Sequence, residues 1–84
     1  MGSFWKCFER LPPDLQGQAK DAYRQFKNDP HQRGLRFKKV HASRPIYSVR
    51  VTRGYRALGI LENETVTWFW IGSHAEYERM LSKH

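Results

Sequence analysis

Arg50, Arg56, His74 and Tyr77 are side chains of the types that move protons and hold phosphate, and they fall near the ends of segments that alternate as strands do. Lys38, Lys39 and His41 lie in or just after an earlier alternating segment, and Arg36 and Arg53 extend the set. An imidazole titrates close to neutrality and can give or take a proton. A guanidinium fork matches two phosphate oxygens at once. This mixture suits cleavage of RNA by internal attack. A base takes the proton of a 2′-hydroxyl, cations stabilise the crowded phosphorane, and an acid protonates the leaving 5′-oxygen. That chemistry needs no metal or other cofactor, and it requires His74 and Arg56 to reach one and the same phosphodiester.

The segments that must position these groups can be read along the chain. Phe4, Phe8 and Leu11 recur at helical spacing, giving a short amphipathic helix over 4–11 that Pro12-Pro13 ends. Leu15, Ala19, Ala22, Tyr23 and Phe26 form the stripe of a second helix from about Pro13 to Lys27, with Pro13 in its first turn, where a missing N–H costs little. Asn28-Asp29-Pro30 stops it. LRFKKV, PIYSVRVT, YRALGILE and TVTWFWI read as four strands, the last three joined by tight turns at Arg53-Gly54 and Asn63-Glu64. Ser73 and Glu76 have the spacing of a capping box for a final helix reaching Leu81. The expectation is an α+β domain: two N-terminal helices packed on an antiparallel sheet of about four strands, followed by a short C-terminal helix. One sheet face stays partly open.

At 84 residues the chain is sized for one domain, 1–84. Fifteen Lys and Arg against eight Asp and Glu give a formal net charge of +7, which favours phosphate-rich or acidic partners, although charge also serves solubility. A lone cysteine, Cys7, excludes an internal disulfide, and no Cys/His grouping has the spacing of a zinc site. Neither a long apolar span nor a signal peptide is apparent, so a cytoplasmic protein without membrane contact is expected.

Each candidate also has a plainer reading. His74 can be an early helix residue bonded to a loop carbonyl, Tyr77 can pack the last helix on the sheet, and Lys38 and Lys39 can protect a strand edge. Trp68 and Trp70, two apart on one strand, are expected on one face, as core or as a stacking platform. Gly59 opposite Trp68 would make room for its indole. The register of the Arg53-Gly54 turn decides the site. A two-residue loop pairing Val51 with Arg56 splits the arginines between faces, whereas a Thr52-Arg53-Gly54 loop with left-handed Gly54 pairs Arg50 with Arg56. The second register is expected.

The order LPPDLQGQAKDAYRQF, a DP turn, LRFKKV, YSVRVTRGYRALGI and WFWIGSHAEY resembles the RelE/ParE superfamily of toxins from bacterial type II toxin–antitoxin pairs, over nearly the whole chain. The resemblance implies a small α+β toxin, held inactive by a cognate antitoxin in a hetero-oligomer, whose RelE-like members cut mRNA in the ribosomal A site. It also implies roles. Arg56 matches the arginine used against the scissile phosphate, His74 a histidine acid or base, Tyr77 a C-terminal catalytic tyrosine, and Arg50 a basic residue of the same hairpin. Ser48 stands where some relatives have a lysine, and the strand that many carry before the first helix is missing. The same scaffold hosts ParE-like toxins that inhibit DNA gyrase without catalysis, and a decayed toxin would retain only antitoxin binding.

Overall fold

The computed structural model describes residues 2–83 as α1 (Gly2–Glu9), α2 (Pro13–Asn28), a single 3-10 turn (Arg33–Leu35), β1 (Lys38–Lys39), β2 (Ile46–Thr52), β3 (Tyr55–Glu62), β4 (Thr65–Ser73) and α3 (His74–Lys83). The strands form one antiparallel sheet in the order β1-β2-β3-β4. The expected α+β architecture is therefore the one found. Among the described residues, no helix is long and apolar enough to cross a membrane.

α1 ends two residues earlier than its apolar spacing implies, because Arg10 and Leu11 turn back to donate to the carbonyls of Cys7 and Phe8. Gln16 of α2 then supplies its side-chain amide to the carbonyls of Phe8 and Leu11, at 3.3 and 3.0 Å, satisfying acceptors that the helix end leaves open. The helix pair thereby docks as a unit. Phe8, Leu11 and Ala19 pack on Ala57 and Ile71 of the sheet, and Ala22 packs on Leu35 and Val49. Trp68 touches both groups, its ring meeting Phe26 edge to face at 5.2 Å. On the opposite face α3 is fixed by Tyr77 and Leu81 against Ile46, Leu58 and Trp70.

Three local expectations need correction. LRFKKV is not one strand: Leu35 closes the 3-10 turn and is 2% exposed between α2 and β2, and Arg36 turns left-handed (φ 48, ψ 45), leaving only Lys38–Lys39 extended. Burying Leu35 there requires the chain to leave the plane of the sheet. The β2–β3 register does pair Arg50 with Arg56, but by another route. A two-residue Arg53-Gly54 turn closes on Thr52↔Tyr55, the extra residue is absorbed as a bulge at Val51, and no described glycine has positive φ. Thr52 favours this solution, its hydroxyl accepting the Gly54 N–H at 3.3 Å.

Trp68 and Trp70 do not share a face. Gly59 pairs with Trp68 and Leu58 with Trp70, so Phe69 is the extra residue of a second bulge, and the alternation inverts across it. Trp68 joins the helix-pair core and Trp70 the α3 side. Gly59 has the spacing role expected of it: a Cβ would lie 2.7 Å from Val66 Cγ1 and 2.8 Å from Trp68 Cε3. Gly59→Ala is expected to lower stability by about 2 kcal/mol, since overpacking a core costs roughly 1–3 kcal/mol, with Gly54→Ala, in open space, as the control. Urea denaturation of the two variants checks this.

Candidate phosphate-binding site

The Val51 bulge sets up the site. With Arg50 opposite Arg56, and Arg56 opposite Gly72, the three positions form a row across the sheet next to the hairpin tip. Arg56 shares its face with Leu58, two residues on, and Leu58 packs against Tyr77, so the arginines lie on the face that α3 occupies. α3 starts at that end. The His74 N–H donates to the Gly54 carbonyl at 2.8 Å, and Ser73 and Glu76 form the expected capping box, with Ser73 N–H to Glu76 Oε1 at 3.2 Å and Glu76 N–H to Ser73 Oγ at 3.3 Å.

Arg56 is half-buried and its Nη1 donates to the carbonyls of Thr52 and Tyr55, at 3.0 and 3.1 Å. Burial pushes its pKa below the ordinary arginine value. Repulsion from Arg50 adds to this, attraction from Tyr77 offsets part of it, and Arg36 repels again. Among the described residues no carboxylate pairs with Arg36, Arg50 or Arg56. An arginine keeps its proton throughout the physiological range. The depressed pKa is thus a standing cost of the folded state below that pKa, with no pH dependence near neutrality.

Tyr77 is buried at 9% exposure, and its ring stacks on His74 with centroids 5.7 Å apart and planes 25° apart. His74 remains exposed, with Nε2 3.2 Å from Glu78 Oε1. His74, Tyr77, Arg56, Arg50 and Arg36 thus gather at one end of the sheet. The other basic candidates disperse. Lys38 pairs with Ser48 and belongs to the arginine face, whereas Lys39 pairs with Tyr47 and belongs to the helix-pair face; both are exposed. Arg53 is exposed at the hairpin tip. Arg50 also borders a recess with Gln18, Asp21 and Gln25 of α2, where β2 has no outer neighbour, and the Asp21 carboxylate there pairs with Arg24. Ser48 is 2% exposed, so a lysine at that position would have no open space. Sequence reasoning missed Glu78, although its place four residues after His74 was a readable signal.

A set of unneutralised guanidiniums beside a phenol and an imidazole can hold a phosphate and exchange protons with it. Inorganic phosphate is expected to raise the melting temperature by about 5 °C more than chloride at equal ionic strength, since a bound anion removes the repulsion and about 1 kcal/mol shifts a domain of this size by roughly 4–8 °C. Arg50→Ala should abolish most of that difference in a calorimetric melt.

The model of a family described as the ParE-like toxin domain matches residues 13–79. Among solved structures, the fold is similar to a chain in the crystal structure of the RelB-RelE antitoxin-toxin complex from Methanococcus jannaschii. The TM-score is 0.72 at 15% sequence identity, with 95% of this chain and 94% of that chain covered. No curated protein sequence matches.

Proposed function

The chain belongs to the ParE-like toxin domain family, and from that premise we propose that residues 1–84 act as a single domain, the toxin of a type II toxin–antitoxin pair, cutting mRNA in the ribosomal A site. The observation that carries this reading is the register that sets Arg50 opposite Arg56 on the sheet face that Tyr77 covers, with His74 stacked on Tyr77. In the proposed reaction O2′ attacks the adjacent phosphorus and the P–O5′ bond breaks, leaving a 2′,3′-cyclic phosphate and a 5′-hydroxyl. His74 takes the 2′-hydroxyl proton and Tyr77 gives its own to O5′. Arg56 and Arg50 hold the non-bridging oxygens, where charge accumulates in the phosphorane. Arg36, Lys38, Lys39 and Arg53 contact the flanking backbone. No cofactor takes part.

The partner that restrains it is a cognate antitoxin in a cytoplasmic hetero-oligomer. An acidic or amphipathic segment laid over the arginine face would neutralise charge that no described carboxylate neutralises. The likeness to a chain of an antitoxin-toxin complex is consistent with this.

A second reading is a gyrase inhibitor without catalysis. Two observations favour it: the matching family is described as ParE-like, and Tyr77 is engaged in packing α3. Induced expression separates the readings. A ribonuclease depletes transcripts and halts translation first, and primer extension maps cuts within codons. A gyrase inhibitor stalls replication and blocks supercoiling in a purified assay, and a chain retaining only antitoxin binding does neither. Under the first reading His74→Ala and Arg56→Ala each slow cleavage by at least about 100-fold, the usual scale for losing an acid–base group or a charge stabiliser. Wild-type cleavage by either variant would remove that residue from the mechanism.

A further inference from the structure

His74 is restrained from three directions. Its backbone is tied to Gly54, one face of its ring lies on the buried Tyr77, and its outer nitrogen meets Glu78. The first two constraints set the position and plane of the ring but leave it free to flip over within that stack. Glu78 removes that freedom. Glu78 Oε1 lies 3.2 Å from Nε2, an ion-pair contact, and a carboxylate at that distance favours a hydrogen on Nε2 over a lone pair, which leaves Nδ1 as the acceptor of the neutral imidazole. The i,i+4 spacing on α3 makes this contact possible within the first two turns of the helix.

We infer that Glu78 is a positioning residue for His74, holding the imidazole with Nε2–H toward the helix and Nδ1 free to take the substrate's proton. The geometry stands by itself; its consequence for cleavage rests on the endoribonuclease reading above. Glu78 does not touch the phosphodiester. As His74 takes the 2′-hydroxyl proton on Nδ1 it becomes an imidazolium, with a carboxylate already facing its other nitrogen, an arrangement familiar from histidine bases oriented by an acidic neighbour. The pair is exposed, at 49% and 69% for the two side chains, so its effect falls on ring orientation rather than on the stability of the fold.

The test uses the full chain carrying Glu78→Ala or Glu78→Gln, alone and combined with His74→Ala. Glutamine keeps an oxygen that accepts from Nε2–H; alanine does not. Proton NMR should show one fixed pattern of ring-to-ring contacts from His74 Hδ2 and Hε1 to Tyr77 in wild type and Glu78→Gln, averaged between the two flipped orientations in Glu78→Ala. Ribosome-dependent cleavage should fall about 10-fold in Glu78→Ala, the lower end of the range for losing a group that orients a working histidine, and stay close to wild type in Glu78→Gln. Adding Glu78→Ala to His74→Ala should cost nothing further. The inference is overturned if the ring contacts persist unchanged in Glu78→Ala, or if the two losses multiply in the double variant. Should wild type cut no transcript at all, the endoribonuclease reading fails, and the ring contacts alone still decide whether Glu78 positions His74.

Discussion

Face parity in the β2–β3 hairpin governs everything placed on it, because successive strand residues point to opposite sides of a sheet. With a two-residue turn at Arg53-Gly54 and no irregularity, Arg50 would stand opposite Ala57 and point into the helix-pair core. The extra residue at Val51 shifts the count by one, sending Arg50 to the side of Arg56 while Val51 packs under the helices. A buried unpaired guanidinium would cost several kcal/mol. The same inserted residue therefore completes the core and gathers the charge.

Once gathered, the charges are paired with no carboxylate among the described residues. Arg56 is half-buried, repelled by two other arginines, and among the described residues bonded to the carbonyls of Thr52 and Tyr55. Backbone acceptors orient the guanidinium without cancelling its charge, so its field stays available for an incoming anion. The sheet needs stability from elsewhere to tolerate this, and the α3 contacts supply part of it: Tyr77 and Leu81 cover Ile46 and Leu58 next to the arginine row. Tyr77 thus belongs to the packing and to the electrostatics together.

What the sequence revealed follows the range of the forces involved. The α2 stripe, the capping box of Ser73 and Glu76 and the clearance at Gly59 are local or nearest-neighbour features, and they were legible, except that Tyr23, expected in the stripe, is exposed at the margin of the helix-pair core. The bulges were not, because a single inserted residue leaves the composition and most of the alternation unchanged; the Arg50–Arg56 pairing was expected through a left-handed Gly54 that does not exist. Trp68 and Trp70 were misplaced for the same reason, since Phe69 breaks the period between them. LRFKKV misled because its alternation matches a strand while Leu35 is needed in the core. For the site, residue types identified the arginines, His74 and Tyr77. Which lysine joins the arginine face depends on the two-residue pairing of β1, a tertiary matter.

The bond from the His74 N–H to the Gly54 carbonyl joins the start of α3 to the hairpin tip across the end of the sheet. It works as a latch between two parts that are otherwise distant in sequence. Prising α3 off its face would tug on the tip that carries Arg53, and clamping the tip would hold α3 down. The bond carries the β3–β4 ladder one step past Tyr55 and Ser73, so the tip and the first turn of α3 share one register.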